Sequence, residues 1–393
     1  MKIAVVFDGL GFGGIERVGI DYIRLLSDLG HKIVVYNLNP SANEMESEIN
    51  ENIKIRRIRF PRKICPEMYV VLIKRFWWGK YIYLPIHIGL NFLLFFHKII
   101  KKIRKEKYDF AIAFSGHFND LTFVQKGYVK TDNKICWLHG GIQDYALLSS
   151  GFLMLYQKIG NLVTLSSFCQ DSVLNLNPNL CSLNIQKIYN PTFIGNRTVD
   201  YTVVDSLRKE YGDFILMVGR MTKEKDHRTV IKAGKILRDK YGINNKILFL
   251  GDGTERSELE EYVKNMDMKD QIFFMGNRMD VQNYYAAAKV LVHSSPAEGL
   301  PTVLLEAMHF GLPIVATNSL PGVPEILEND KDGLVCSVGD QDKMAEYIYT
   351  LLSDPELYKK YSDRGKCRIN AFRPETVQRQ LEDFFFNIKK SRN

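Results

Sequence analysis

The stretch that decides the fold is "SSPAEGLPTVLLEAMHFGLPIVAT", residues 294–317. It follows the apolar run "VLVH" at 290–293. Residues 294–300 read as a loop, and Pro301 suits the first turn of a helix that Gly311 and Pro313 end. Glu298 lies on the loop and Glu306 inside the helix, about a turn and a half past Pro301. Between them, the free N–H groups of Gly299, Leu300, Thr302 and Val303 can hold a phosphate; Pro301 has none to offer. A carboxylate repels a phosphate but accepts from hydroxyls on either side of it. Two acids bracketing such a corner therefore fit a sugar, a diphosphate and a ribose in line. The plain alternative is that both are ordinary residues of a helix start.

Outward from this corner, strands and helices alternate. "KIAVVF" (2–7), "KIVVYN" (32–37), "FAIAF" (110–114), "KICWLH" (134–139), "LVTLS" (162–166) and "IQKIYN" (185–190) form one series. "FILMVG" (214–219), "KILFLG" (246–251), "IFFMG" (272–276), "VLVHSS" (290–295), "PIVATN" (313–318) and "GLVCS" (333–337) form a second. Continuous apolar strands between helices predict parallel sheets covered on both faces, an α/β protein with two units of Rossmann-like size. The boundary is expected near Asn190–Val204, where the pattern lapses, and "FRPETVQRQLEDFFFNIKK" reads as a final helix.

The 393 residues are 46% hydrophobic and 25% charged, an ordinary globular composition whose length suggests two domains. The six cysteines are scattered without metal spacing, and the first residues enter a Gly-rich turn rather than a cleavage region. Reduced thiols in the cytoplasm are the expectation. The net charge of +8 concentrates at Arg56, Arg57, Arg59, Arg62 and Lys63 and at Lys98, Lys101, Lys102, Arg104, Lys105 and Lys107. Such patches suit an anionic membrane surface or nucleic acid, or are solvated basic faces. Residues 68–100 between them are rich in aromatics but interrupted by Pro85, Gly89, Asn91 and His97, so a spanning helix is not expected. They read either as core-facing helices or as an interfacial segment with Trp77, Trp78, Phe92, Phe95 and Phe96 facing acyl chains.

Two other loops carry chemistry. Gly9-x-Gly11-x-x-Gly14 has dinucleotide-fingerprint spacing, but the second strand ends in Asn37 and Asn39 where that fingerprint needs an acid. Gly13 and Gly14 still let a ligand approach the backbone at a helix start. "VGRMTKEKDH" (218–227) exposes Arg220 and Lys225 at the carboxyl end of a strand, where open α/β sheets bind ligands. Two cations there can neutralise a diphosphate, or form an ordinary basic loop.

The block around Glu298 and Glu306 resembles the E-x7-E signature of retaining glycosyltransferases of family 4, and the resemblance extends through "GGIERV" (13–18), "WLHGG" (137–141), "VGRMTKEKDH", "LGDGTERSELEE" (250–261), "FMGNRMDV" (274–281) and "GVPEIL" (322–327). It implies the GT-B fold: two Rossmann-like domains with parallel sheets facing across a cleft, and a C-terminal helix packing back on the N-terminal domain. The implied division is 1–192 for an acceptor-binding domain, with 68–107 at a membrane interface, 193–371 for the nucleotide-sugar domain and 372–393 for the returning helix. Glu298 would bind donor-sugar hydroxyls, Glu306 the ribose, Arg220 and Lys225 the leaving diphosphate, and Gly13 and Gly14 would close over the donor. His139 would touch the donor sugar, with His117 as its rival, and backbone near Asn277 and Met279 would meet the base.

The implied reaction is metal-independent transfer with retention, from a UDP-sugar first of all, with no cofactor. The implied acceptor is a lipid-linked or growing glycan of capsule-type polysaccharide or glycolipid assembly. The protein would sit peripherally on the anionic inner face of the cell membrane, without nucleic acid. Asp340-x-Asp342 reads as a helix N-cap rather than a metal site. One departure is Pro321 in "NSLPGVPEIL", where family members often carry glycine; it is expected to reshape the loop near the donor. The competing readings are a nucleotide-cofactor oxidoreductase and a non-catalytic partner in a membrane complex.

Overall fold

Apolar strands buried on both faces need helices on both sides, and the chain builds this arrangement twice. A computed structural model describes residues 1–100, 106–140, 142–176, 180, 182–193 and 197–391. The chain divides into two compact units, Met1–Pro191 with Val377–Asn393, and Thr192–Thr376.

The first unit is built on a seven-stranded parallel sheet. Its strands are β1 (Lys2–Phe7), β2 (Lys32–Asn37), β3 (Lys54–Arg57), β4 (Phe110–Ala113), β5 (Asn133–Leu138), β6 (Asn161–Thr164) and β7 (Asn184–Lys187), in spatial order β3-β2-β1-β4-β5-β6-β7. Ile3, Ala4, Val5 and Val6 of β1 are buried, as a strand covered on both faces requires. The strand order reverses between β1 and β4, and Asp8 and His117 follow those two strands at that switch point. The last helix, Pro374–Lys390, joins this unit. Val377, Leu381, Phe384, Phe385 and Ile388 form its buried stripe, and Phe385 stacks on Phe110 of β4 at 4.5 Å between centroids.

The second unit has a six-stranded parallel sheet. Its strands are β8 (Ile215–Val218), β9 (Ile247–Leu250), β10 (Ile272–Gly276), β11 (Val290–His293), then, beyond the short β12 (Ala297–Glu298), β13 (Ile314–Thr317), and, beyond the short β14 (Leu320–Pro321), β15 (Leu334–Cys336). The order is β10-β9-β8-β11-β13-β15, and β12 pairs only with β14. Here the reversal lies between β8 and β11, the strands that deliver the Arg220–Lys225 loop and the Glu298 corner.

Two elements differ most from the sequence reading. Strand β3 lies in the first basic cluster and has no apolar run, which is why the pattern hides it; it is an edge strand. Its two arginines are paired: Arg56 with Glu106 at 2.6 Å, Arg57 with Glu46. Residues Gly79–Ile100 form one 22-residue helix running through Pro85. Proline there removes one helical N–H and crowds the preceding turn, but the helix continues past it. The core-facing alternative does not hold, because among the described side chains of this helix only Gly79 and Leu94 are buried, while Phe92, Phe95 and Phe96 are exposed. By length and composition the helix is apolar enough to cross a membrane. Trp77, just before it, is 85% exposed, whereas Trp78 stacks on Phe76 at 4.5 Å. Lys101, Lys102, Arg104 and Lys105 lie outside the described residues, as do Gly141 and Cys181; the five described cysteines are free thiols.

Gly151 gives a test of this packing. It opens the helix Gly151–Ile159, where alanine ordinarily stabilises by up to about 1 kcal/mol. A Cβ there would stand 2.0 Å from the carbonyl oxygen of the buried Glu67. Gly151→Ala is therefore expected to destabilise the protein by roughly 1–3 kcal/mol, read as a lower urea midpoint; a raised midpoint would refute the contact.

Candidate functional site

In the second unit the site is assembled from the loops after β8 and β11. Beyond β8, the chain packs backbone to backbone against the loop after β9: Met221 N donates to Asp252 O at 3.0 Å, and a Cβ on Gly251 (φ +131°) would stand 2.1 Å from Gly219 O. One 3-10 turn, Lys223–Lys225, presents Lys225. Asp226, in the left-handed region, then caps the helix His227–Tyr241 by accepting from Thr229 N. Ser294, buried at the end of β11, lies 2.9 Å from Lys225 O and 2.8 Å from Asp226 O and donates its one proton to this pair. Its hydroxyl fixes the Lys225 backbone to the neighbouring strand.

Glu298 is held from the other side. Its segment pairs with β14 in parallel register, Glu298 opposite Pro321, and Thr317 Oγ1 donates to Ser295 O at 2.8 Å. Gly322 permits the close approach: a Cβ there would meet Gly299 O at 2.6 Å. Pro321, the departure from the family pattern, thus belongs to the short ladder that supports Glu298, and its peptide bond with Leu320 is cis. The Lys225 ammonium donates to Glu298 Oε1. His293 Nε2 lies 3.5 Å from the same oxygen and has no hydrogen-bond partner. Burial pushes His293 down to about 4, against the pull of Glu298, so its ring is neutral. His227, next along the loop, is buried edge-on against Phe249, with neither ring nitrogen bonded, and burial lowers it likewise to about 4.

The helix Thr302–Phe310 begins beyond Pro301 with no side-chain cap, so the corner N–H groups meet no capping side chain. Glu306, in its second turn, accepts a hydrogen bond from Tyr285 Oη at 2.7 Å. Burial raises its pKa, opposed by that bond and by the Arg197 charge. Tyr285 is fully buried and stacked on Phe310. Asn277 and Met279 sit on the exposed loop after β10, Met279 94% exposed. Arg220 is exposed, and among the described residues it forms no ion pair. The structure thus joins Lys225 to Glu298, places the helix start and Glu306 beyond them, and leaves Arg220, Asn277 and Met279 as exposed groups of the same unit. Among the described residues no three His, Cys, Asp or Glu side chains cluster as a metal site, and Asp340 caps a helix by accepting from Lys343 N.

In the first unit, Gly13 and Gly14 open the helix Gly14–Asp28. A Cβ on Gly14 would meet nothing within 4 Å, and one on Gly13 only the flexible Glu16 carboxylate. Internal packing therefore does not demand these glycines. Asn37 is buried, donating to Ala42 O and Glu46 Oε1, which makes it a loop anchor rather than a ribose ligand. His139 Nε2 donates to Phe114 O at 2.6 Å, and burial lowers its pKa to about 4; the neutral ring keeps Nδ1 as an acceptor. His117 is differently placed. Its Nδ1 is 2.9 Å from Asp8 Oδ2, Arg62 is 3.1 Å from that oxygen, and Asn119 donates to Oδ1. Asp8 raises the His117 pKa against the effect of burial. Sequence reasoning reached His117, and placed His293 and Ser294 near the site without a role, but missed Asp8 and Tyr285. The signal for Asp8 was its place just after a strand at a switch point.

Each parallel sheet has one switch point, and beside that of the second unit lie Lys225, Glu298 and the uncapped start of the helix that carries Glu306. Residues 203–368 match the family model described as "Glycosyl transferases group 1", so the second unit carries a domain of that kind. Over 173 residues the chain is 34% identical to an uncharacterized glycosyltransferase of Haemophilus influenzae, covering 44% of this chain and 49% of that protein. Over 159 residues it is 30% identical to the N-acetylgalactosamine-N,N'-diacetylbacillosaminyl-diphospho-undecaprenol 4-alpha-N-acetylgalactosaminyltransferase of Campylobacter jejuni, covering 40% of this chain and 42% of that one. The chain thus spans about half the length of the curated relatives it matches. The solved structure of Anabaena HepE in complex with UDP superposes with a TM-score of 0.75 at 17% identity, covering 98% of this chain and 100% of that one, a likeness that bears on the fold. The fold is GT-B.

The two neutral histidines set the response of the second unit to acid. Each is held below its ordinary value of 6.5, so the unfolded chain takes up a proton that the folded chain refuses as pH falls through that value. Each therefore removes about 1.4 kcal/mol of stability per pH unit between roughly 6.5 and 4. His227→Leu is expected to flatten the fall of the urea midpoint between pH 7 and pH 5; an unchanged slope would show that His227 is not held neutral.

Proposed function

We propose that the protein is a retaining glycosyltransferase that moves a sugar from a nucleoside-diphosphate-sugar, first of all a UDP-sugar, to a lipid-linked or growing glycan in cell-surface polysaccharide or glycolipid assembly. The observation that carries this reading is the Lys225–Glu298 contact beside the uncapped start of the helix Thr302–Phe310, with Glu306 held by Tyr285 in its second turn. As the anomeric C–O bond breaks, negative charge grows on the diphosphate. Lys225, Arg220 and the helix start supply cationic or dipolar groups for that charge, a route to catalysis without a metal. Glu298 then holds sugar hydroxyls, Glu306 offers its remaining oxygen to the ribose, and neutral His139 offers Nδ1 to the sugar. The group 1 match over the second unit, and the lipid-linked substrate in the name of the Campylobacter relative, support the donor and acceptor classes.

The same proposal places the protein on the cytoplasmic, anionic face of a membrane, through the exposed apolar side of the helix Gly79–Ile100 with its basic flank. An exposed apolar surface of this extent marks an interaction site.

Glu298→Ala is expected to lower transfer at least 100-fold, the usual scale for a group acting on the transition state, while UDP still raises the melting temperature in the presence of EDTA. Near wild-type turnover would remove Glu298 from the site, and a UDP shift abolished by EDTA would remove metal independence. Replacing Trp77, Phe92 and Phe96 by serine is expected to abolish sedimentation with vesicles containing phosphatidylglycerol. Undiminished sedimentation would refute the membrane face.

A further inference from the structure

The proposed chemistry gives separate tasks to two groups that hold each other. Lys225 is to meet the diphosphate and Glu298 the sugar hydroxyls, yet the Lys225 ammonium donates to Glu298 Oε1. A ligand anion that draws Lys225 away leaves Glu298 without that donor. A carboxylate shielded from water and stripped of its donor bears the cost of its lost hydration. The site therefore needs a second donor for Glu298, or the departure of Lys225 opposes ligand binding.

His293 is placed to be that donor. Its Nε2 lies 3.5 Å from the same Oε1, longer than an ordinary hydrogen bond, while Lys225 occupies that oxygen. The side chain is 3% exposed and Nε2 has no partner, an unpaired buried polar atom beside a carboxylate. His293 closes β11 and is registered against Ala316 of β13, so the six-stranded sheet fixes its backbone. Glu298 stands on the two-residue ladder with β14, and a shift of less than about 1 Å brings Oε1 within hydrogen-bond length of Nε2. The Lys225 backbone does not have to follow, since the Ser294 hydroxyl holds its carbonyl and that of Asp226; the long side chain alone turns. Burial keeps the imidazole neutral. Its N–H is then a weaker donor to the carboxylate than the ammonium, and lone pairs of Glu298 stay open to hydroxyls.

We infer that His293 is a positioning residue, which takes Glu298 over by donating from Nε2 when Lys225 turns to an incoming diphosphate. No proton is transferred: ammonium, carboxylate and imidazole keep their charges, and only the hydrogen-bond partner of Oε1 changes. The inference rests on the glycosyl-transfer reading for the identity of the anion, and deepens it by giving the closed ion pair a way to open. The free protein holds both groups in register until the nucleotide arrives, and Glu298 keeps its orientation after Lys225 has left.

Two couplings in the full chain test this. The first needs no nucleotide. Lys225→Met removes the ammonium permanently, so His293→Leu is expected to lower the urea midpoint at neutral pH more in the Lys225→Met protein than in the wild type; equal losses overturn the inference. The second is the dissociation constant for UDP, read by titration calorimetry with EDTA present. His293→Leu is expected to weaken UDP by about fivefold or more, the lower end of an ordinary coupling between sites. His293→Gln, which keeps an N–H donor on the side chain, is expected to restore it. In the Glu298→Gln protein no carboxylate is left to be held, and His293→Leu is expected to change UDP affinity by no more than about twofold. A packing role for His293 would weaken UDP equally in both backgrounds and overturn the inference, as would unchanged UDP affinity in His293→Leu. Absence of UDP binding in the wild type, with the urea coupling present, would defeat the UDP-sugar reading and not the exchange of partners.

Discussion

The ion pair between Lys225 and Glu298 is the interaction that joins the two switch-point loops of the second unit. Neither side chain is fully buried, with side-chain exposures of 23% and 15%, so the pair is neither a screened surface bridge nor a costly core pair. Its geometry comes from the sheet. β8 and β11 are neighbours at the switch point, so their following loops emerge side by side, and the Ser294 hydroxyl ties one loop's backbone to the other's strand. Such an arrangement holds a cation next to the acid whose neighbours are an open helix start. His293 reinforces it by staying neutral. A protonated imidazole 3.5 Å from Glu298 would compete with Lys225 for the same oxygen, and burial prevents that.

The sheets of both units and the corner at 294–317 were legible because each signal is local. A run of five buried apolar residues reads as a strand whatever lies elsewhere, and Gly-Leu-Pro before an apolar periodic stretch reads as a helix start. What stayed hidden depends on contacts distant in sequence. Strand β3 carries Lys-Ile-Arg-Arg, whose pattern is that of a basic loop; only pairing with β2 and the acids Glu106 and Glu46 makes it a strand. Tyr285 reaches Glu306 across 21 positions, and Asp8 meets His117 across 109. Neither pairing has a spacing to read; both follow from which strand ends a parallel sheet sets side by side.

Pro321 shows how a departure from a family pattern can be absorbed. A glycine there would leave the backbone free; a proline restricts it and removes an N–H. The ladder beside Glu298 is only two residues long, so little pairing is at stake, and the close approach that does require glycine, that of Gly322 to the Gly299 carbonyl, is retained. The expected reshaping is therefore confined to a short edge, where proline is tolerated in sheets.

The two units divide their physical work. In the second, charge is concentrated at fixed, partly screened positions, and the neighbouring imidazoles are kept uncharged by burial. In the first, the polar groups gather at Asp8 beside apolar surface that a protein surrounded only by water would be expected to cover. A 22-residue helix with most of its aromatic side chains outside any core raises the free energy of the isolated chain in water, since apolar area exposed costs about 25 cal/mol per Å². That cost is a reason to expect a partner of low polarity for this face.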